Sequence, residues 1–72
     1  MDEIQTIRIT TEYITLGQFL KFASIIGNGA EAKSFLLENK VLVDGELEDR
    51  RGRKLRGGEI VQIGKQKFRI ER

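Results

Sequence analysis

Neither cysteine nor histidine occurs in this chain of 72 residues. No disulfide can staple the fold, and the commonest zinc ligand and general base are both missing. What holds the chain together must therefore be an apolar core. That core is small, because a domain near this length buries only about 60% of the surface its unfolded chain exposes. The length allows one domain, residues 1–72. Ser–His–Asp and Cys–His nucleophile sites cannot be built, and the remaining serine, lysine and carboxylate side chains fall in no catalytic spacing. The expectation is a protein that is not an enzyme and carries no cofactor or metal.

The start, MDEIQTIRIT, has no basic segment followed by an apolar stretch, so it does not read as a signal peptide. No apolar run approaches the roughly 20 residues of a membrane span. A cytoplasmic protein that does not touch membranes is expected.

Local signals divide the chain. Residues 4–10 alternate, with Ile7 and Ile9 on one side and Thr6, Arg8 and Thr10 on the other, the period of a half-buried strand. In ITLGQF, Thr15 and Gln18 have the spacing of a capping box, and Ile14 and Phe19 that of a hydrophobic staple. A helix should start at Leu16, with Leu16, Phe19, Leu20 and Ala23 on its inner face. Gly17 is a weak spot in its first turn. SIIGNG breaks this helix, and Asn28 with Glu31 caps a second one, whose inner face is Ala32, Phe35 and Leu36. Asn39 is expected to end it in the left-handed conformation. Asp44-Gly45 between Val43 and Glu46 signals a two-residue hairpin. Gly57-Gly58 makes a turn, and EIVQIGKQKFRIER gives two more strands around Gly64. The fold class is α+β: two helices packed on a small antiparallel sheet.

The charge is unevenly spread. Residues 1–39 carry three basic and five acidic side chains, and residues 40–72 carry ten and six. Arg50, Arg51, Arg53, Lys54 and Arg56 crowd into EDRRGRKLRGGE, residues 48–59. Directly before them stand Asp44, Glu46, Glu48 and Asp49, so one reading is a solvated loop that pairs with its own neighbours for little net energy. The other is a surface for a polyanion. Arginine presents a planar fork of donors suited to phosphate. Gly52 lets the run turn, and Leu55 can anchor it on the core. Lys21, Lys33 and Lys40 avoid the apolar faces and are further candidates. Lys65, Lys67 and Arg69 read as edge-strand protection. GNGAEAK lacks the preceding strand and the Gly-Lys-Ser/Thr ending of a phosphate-binding loop.

In order and spacing these residues resemble the S-four RNA-binding domain, also called the αL-motif domain. The resemblance spans residues 15–63, approximately. It rests on Ala32-Lys33, on Val41-x-Val43-Asp44-Gly45-Glu46, and on Arg50-Arg51-Gly52-Arg53-Lys54-Leu55 followed by Gly58-Glu59-x-Val61. The chain looks like the small, free-standing bacterial members. The resemblance implies the αL-motif fold and binding of structured RNA, ribosomal or transfer, with ribosomal subunits as partners. Carried over, the contacts are Asn28, Gly29, Lys33, Arg50, Arg51, Arg53 and Lys54, with Lys21, Lys40 and Arg56 as additions. Asp44 stands where the family often has asparagine, and Asn39 where it often has glycine. Glu31 puts a negative charge on a helix face the family often keeps basic. The competing functions are a protein–protein adaptor using the charged hairpin and loop, and DNA binding. On the RNA reading, alanine at Arg50, Arg51 and Arg53 together removes binding and leaves the fold intact.

Overall fold

The computed structural model describes residues 4–72. The chain runs β1 (Ile4–Arg8), β2 (Ile14–Thr15), α1 (Leu16–Phe22), a 3-10 turn (Gly29–Glu31), α2 (Ala32–Glu38), β3 (Val41–Val43), β4 (Glu46–Leu47), β5 (Lys54–Leu55), β6 (Ile60–Ile63) and β7 (Gln66–Glu71). This is the expected α+β arrangement of two helices and a sheet.

The helix starts follow from local chemistry. The Thr15 hydroxyl accepts from the Gln18 N–H, while the Thr15 N–H donates to Gln18 Oε1 at 2.9 Å. Asn28 and Glu31 form the same reciprocal box, with Asn28 Oδ1 accepting from Ala30 N–H. It opens the 3-10 turn that leads into α2 rather than α2 itself. The end of α1 is a Schellman closure around Ser24, at φ 61°. Ser24 N–H bonds the Lys21 carbonyl, and Ile25 N–H bonds the Leu20 carbonyl.

Asn39 departs from expectation. It is extended, at φ −129° and ψ 144°. Both its backbone N–H and its side-chain amide donate to the Phe35 carbonyl, so α2 is closed without a left-handed residue. Left-handed backbone occurs instead at Ser24 and, in the β3–β4 hairpin, at Asp44 and Gly45, at φ 52° and 84°. Asp44 also accepts from the Ile60 N–H, tying the hairpin to β6.

The main sheet has the order β1-β7-β6-β3-β4, and β2 and β5 form a separate two-stranded ribbon. Neighbours from β7 to β4 are antiparallel, but β1 lies parallel to β7, so the sheet is mixed. β7 is thus an interior strand, which corrects the reading of Lys67 and Arg69 as edge protection. A cross-strand row of Val43, Val61 and Phe68 is buried beneath the helices. Phe19 from α1 meets Phe68 edge to face, centroids 5.2 Å apart. Leu16, Leu20, Ala32, Leu36, Val41, Leu55 and Ile70 complete the centre of the core. Phe35 is only half-buried, and Phe22 is exposed.

Candidate nucleic-acid interface

The arginine stretch is bonded to the fold along its length. The first N–H groups of a helix have no partner within it. Here the basic loop supplies their acceptors: Leu16 N–H donates to the Arg53 carbonyl at 2.7 Å, and Gly17 N–H to the Arg51 carbonyl at 2.9 Å. Leu55, fully buried, pins the far end of the loop. Gly17 belongs to this junction. A Cβ there would lie 3.4 Å from the Cβ atoms of Ala32 and Arg51 and from the Arg51 carbonyl oxygen, so even a methyl would touch both the loop and α2.

Glu48 fixes the loop from the other side. Its side chain is 7% exposed and takes Arg50 Nε at 2.9 Å and Arg53 Nη1 at 2.9 Å. Arg50 closes a fork with a second donor, Nη2, at 3.2 Å, and adds its backbone N–H at 3.1 Å. The Arg50 guanidinium, aided by Arg53 and opposed by burial, holds the Glu48 carboxyl at about 2 instead of 4.5. Glu59 does similar work where the loop ends. Burial pushes its carboxyl up, but the N–H groups of Arg56 and Gly57 outweigh this and hold it below its ordinary value.

Loop, α1 and the 3-10 turn enclose a shallow cleft of about 430 Å³, lined by Thr15, Gly17, Gln18, Lys21, Gly29, Ala32, Arg51 and Gly52. Arg51 forms no ion pair among the described residues. Arg50, Gly52, Arg53 and Lys54 line a second hollow. No cluster of metal-ligating side chains occurs among the described residues, and no helix there is long and apolar enough to cross a membrane.

The sequence pattern that defines the S4 domain matches residues 7–71. The chain belongs to the S4 domain family. A Bacillus subtilis protein named "Probable ribosome maturation protein RlbA" is 58% identical over 57 residues, covering 79% of this chain and 80% of that protein. A Burkholderia lata tyrosine–tRNA ligase is 31% identical over 68 residues, which cover 93% of this chain but 16% of the ligase.

Within this S4 domain the expected contact residues fall in different places. Lys21, Gly29 and Arg51 meet in the cleft. The Asn28 side chain is occupied in capping, and Lys33 is exposed on α2 beside cleft-lining Ala32. Arg50 and Arg53 are engaged by Glu48. Lys40 lies in a different groove, with Leu37, Leu47, Glu38 and Asp49. Arg56 sits over the Tyr13 ring and reaches Glu12 at 3.8 Å. Sequence reasoning passed over Thr15 and Gln18 as cleft-lining groups, and it named Glu48 only among the acidic neighbours the arginines could pair with, not as the one residue that orients them. Glu48 had a visible signal, a carboxylate two and five residues before arginines, but nothing local says that it is buried.

The Glu48 linkage predicts a pH dependence. Its folded pKa lies below its unfolded one, so between about 2 and 4.5 the unfolded chain binds more protons. The stability Glu48 contributes is complete above the unfolded value and is lost as pH falls through the folded one. Melting curves from pH 7 to 2 should fall more steeply for the native chain than for Glu48→Gln. Parallel curves would show that Glu48 does not carry the effect.

Proposed function

We propose that this chain binds structured RNA without catalysing a reaction, and that its target is ribosomal RNA in a maturing subunit, in the cytoplasm. The observation that carries this reading is the cleft joining Lys21, Gly29 and Arg51, with the loop backbone locked on α1. A loop already held in shape loses little entropy on binding. Lys33, Asn28, Lys54 and the outward parts of Arg50 and Arg53 extend the surface. Membership of the S4 domain family and a 58% identical relative named for ribosome maturation support it. The alternative target, transfer RNA, is favoured by the tyrosine–tRNA ligase. A-form RNA hides its base edges in a deep, narrow groove, so a short basic loop reads phosphates, 2′-hydroxyls and shape.

Neutralising about four phosphates gives a slope of log K against log salt of roughly −3 to −4. Arg51→Ala should flatten that slope by about one and leave the melting temperature unchanged. Its backbone carbonyl, which holds Gly17, survives the substitution. Binding insensitive to salt would overturn the mechanism. Duplex DNA of equal length should compete poorly, because it lacks the 2′-hydroxyl.

A second reading, a protein–protein adaptor, has one observation behind it. Leu37 and Leu47, 70% and 66% exposed, line one groove with Glu38 and Asp49. Such a groove suits a basic partner with apolar side chains. Association with ribosomal subunits that survives nuclease digestion would favour it.

A further inference from the structure

We propose that Tyr13, with Lys54 and Arg56, is a stacking site for an unpaired nucleotide beside the cleft, an inference that rests on the RNA-binding reading above. Lys54 Nζ lies 4.9 Å from the centre of the Tyr13 ring, and the Arg56 guanidinium carbon 5.5 Å. Tyr13 is nevertheless 38% exposed. Both cations lie over the ring, which keeps part of its surface open to solvent, so an incoming base stacks on Tyr13 by taking the place of a cation that turns to its phosphate. A nucleotide offers the complement, a base to stack and a phosphate to pair.

The ribbon explains why these groups converge. β2 and β5 pair with Ile14 opposite Leu55 and Thr15 opposite Lys54. Leu55 is fully buried, so its neighbours Lys54 and Arg56 emerge on the opposite, outer face. Thr15 also lines the cleft, so the outer face of the ribbon runs into it. The backbone at Arg56 is fixed in advance by Glu59, at 2.8 Å from the Arg56 N–H and 2.7 Å from that of Gly57. The Arg56–Glu12 pair is long, at 3.8 Å, and both side chains are more than half exposed. Such a pair yields readily to a phosphate.

The ligand is an unpaired nucleotide because bases inside a duplex have their faces covered by their neighbours, whereas loops and bulges splay them out onto aromatic side chains. Docked at the cleft, an RNA stem would present a bulge or loop next to its end to Tyr13.

The chain has one tyrosine and no tryptophan, so its ultraviolet emission reports on Tyr13 alone. The test titrates the full chain with two labelled RNA hairpins of identical stem, one continuous and one with a single unpaired adenine. Affinity is read by anisotropy, and tyrosine emission is read in parallel with unlabelled RNA. The bulged hairpin should bind about tenfold more tightly and quench Tyr13 more strongly. Tyr13→Ala should abolish the preference while keeping the affinity for the continuous stem, and Tyr13→Phe should retain it. Equal affinity and equal emission with both hairpins would overturn the stacking site and leave the RNA-binding reading standing. Absence of salt-dependent binding to either hairpin would overturn both.

Discussion

Leu55→Ala should lower the stability of this domain by about 2–5 kcal/mol, the range for truncating a fully buried leucine. Leu55 has no exposed surface and sits in β5 opposite Ile14, which is half-buried against the core. A domain of this size typically has about 5–15 kcal/mol in all, so the upper end of that loss brings it near unfolding. Each kcal/mol shifts the melting temperature by about 4–8 °C in a chain of this length. The effect should also reach the basic loop, because Leu55 follows directly on the segment whose Arg51 and Arg53 carbonyls accept from α1. Thermal melting and hydrogen exchange at Leu16 and Gly17 would check this. A shift of only a degree or two, with those amides still protected, would show that the loop is held by Glu48 and α1 alone.

The second large effect concerns the arginines. Alanine at Arg50 and Arg53 together should lower the melting temperature at neutral pH, whereas Arg51→Ala should not. The difference lies in Glu48. Its carboxylate is 7% exposed and keeps a single backbone donor, Arg50 N–H, once both guanidinium partners are gone. Leaving such an acceptor under-satisfied costs about 1–3 kcal/mol. Adding Glu48→Gln should recover much of the loss, since a neutral amide is easier to bury than an unpaired charge. If the double variant melts like the native chain, water reaches Glu48 and the fork contributes nothing to folding. The expectation that a triple arginine variant leaves the fold intact is revised accordingly. Of the three arginines, Arg51 is the one whose replacement tests the proposed RNA contact without disturbing Glu48.

The arginine run combines internal pairing with exposed cations. Arg50 and Arg53 pair with a neighbouring carboxylate, as a self-neutralising loop would. The pairing is made with a buried carboxylate, however, and it fixes a loop whose Arg51 and Lys54 are exposed. Internal pairing and a prepared basic surface are thus compatible here, because one carboxylate shapes the loop while other cations face solvent.

What the sequence determined by itself was the local grammar. The two capping boxes, the start of α1 at Leu16, the Asp44-Gly45 hairpin and the burial of Leu55 all came from it. Each of the first three depends on groups within about four residues of one another, where spacing fixes geometry, and Leu55 was the only apolar side chain in a charged run. Tertiary structure decided the rest. The parallel pairing of β1 with β7 joins opposite ends of the chain, and no local pattern encodes it. Gly17 read as a helix defect until α2 and the Arg51 backbone were placed against it. Asn39 found a side-chain bond to Phe35 in place of a left-handed turn. Glu48 was one acid in an acidic stretch until burial made it the partner of two arginines. Burial and close approach are properties of which distant segments meet, so they become visible only once the chain has folded.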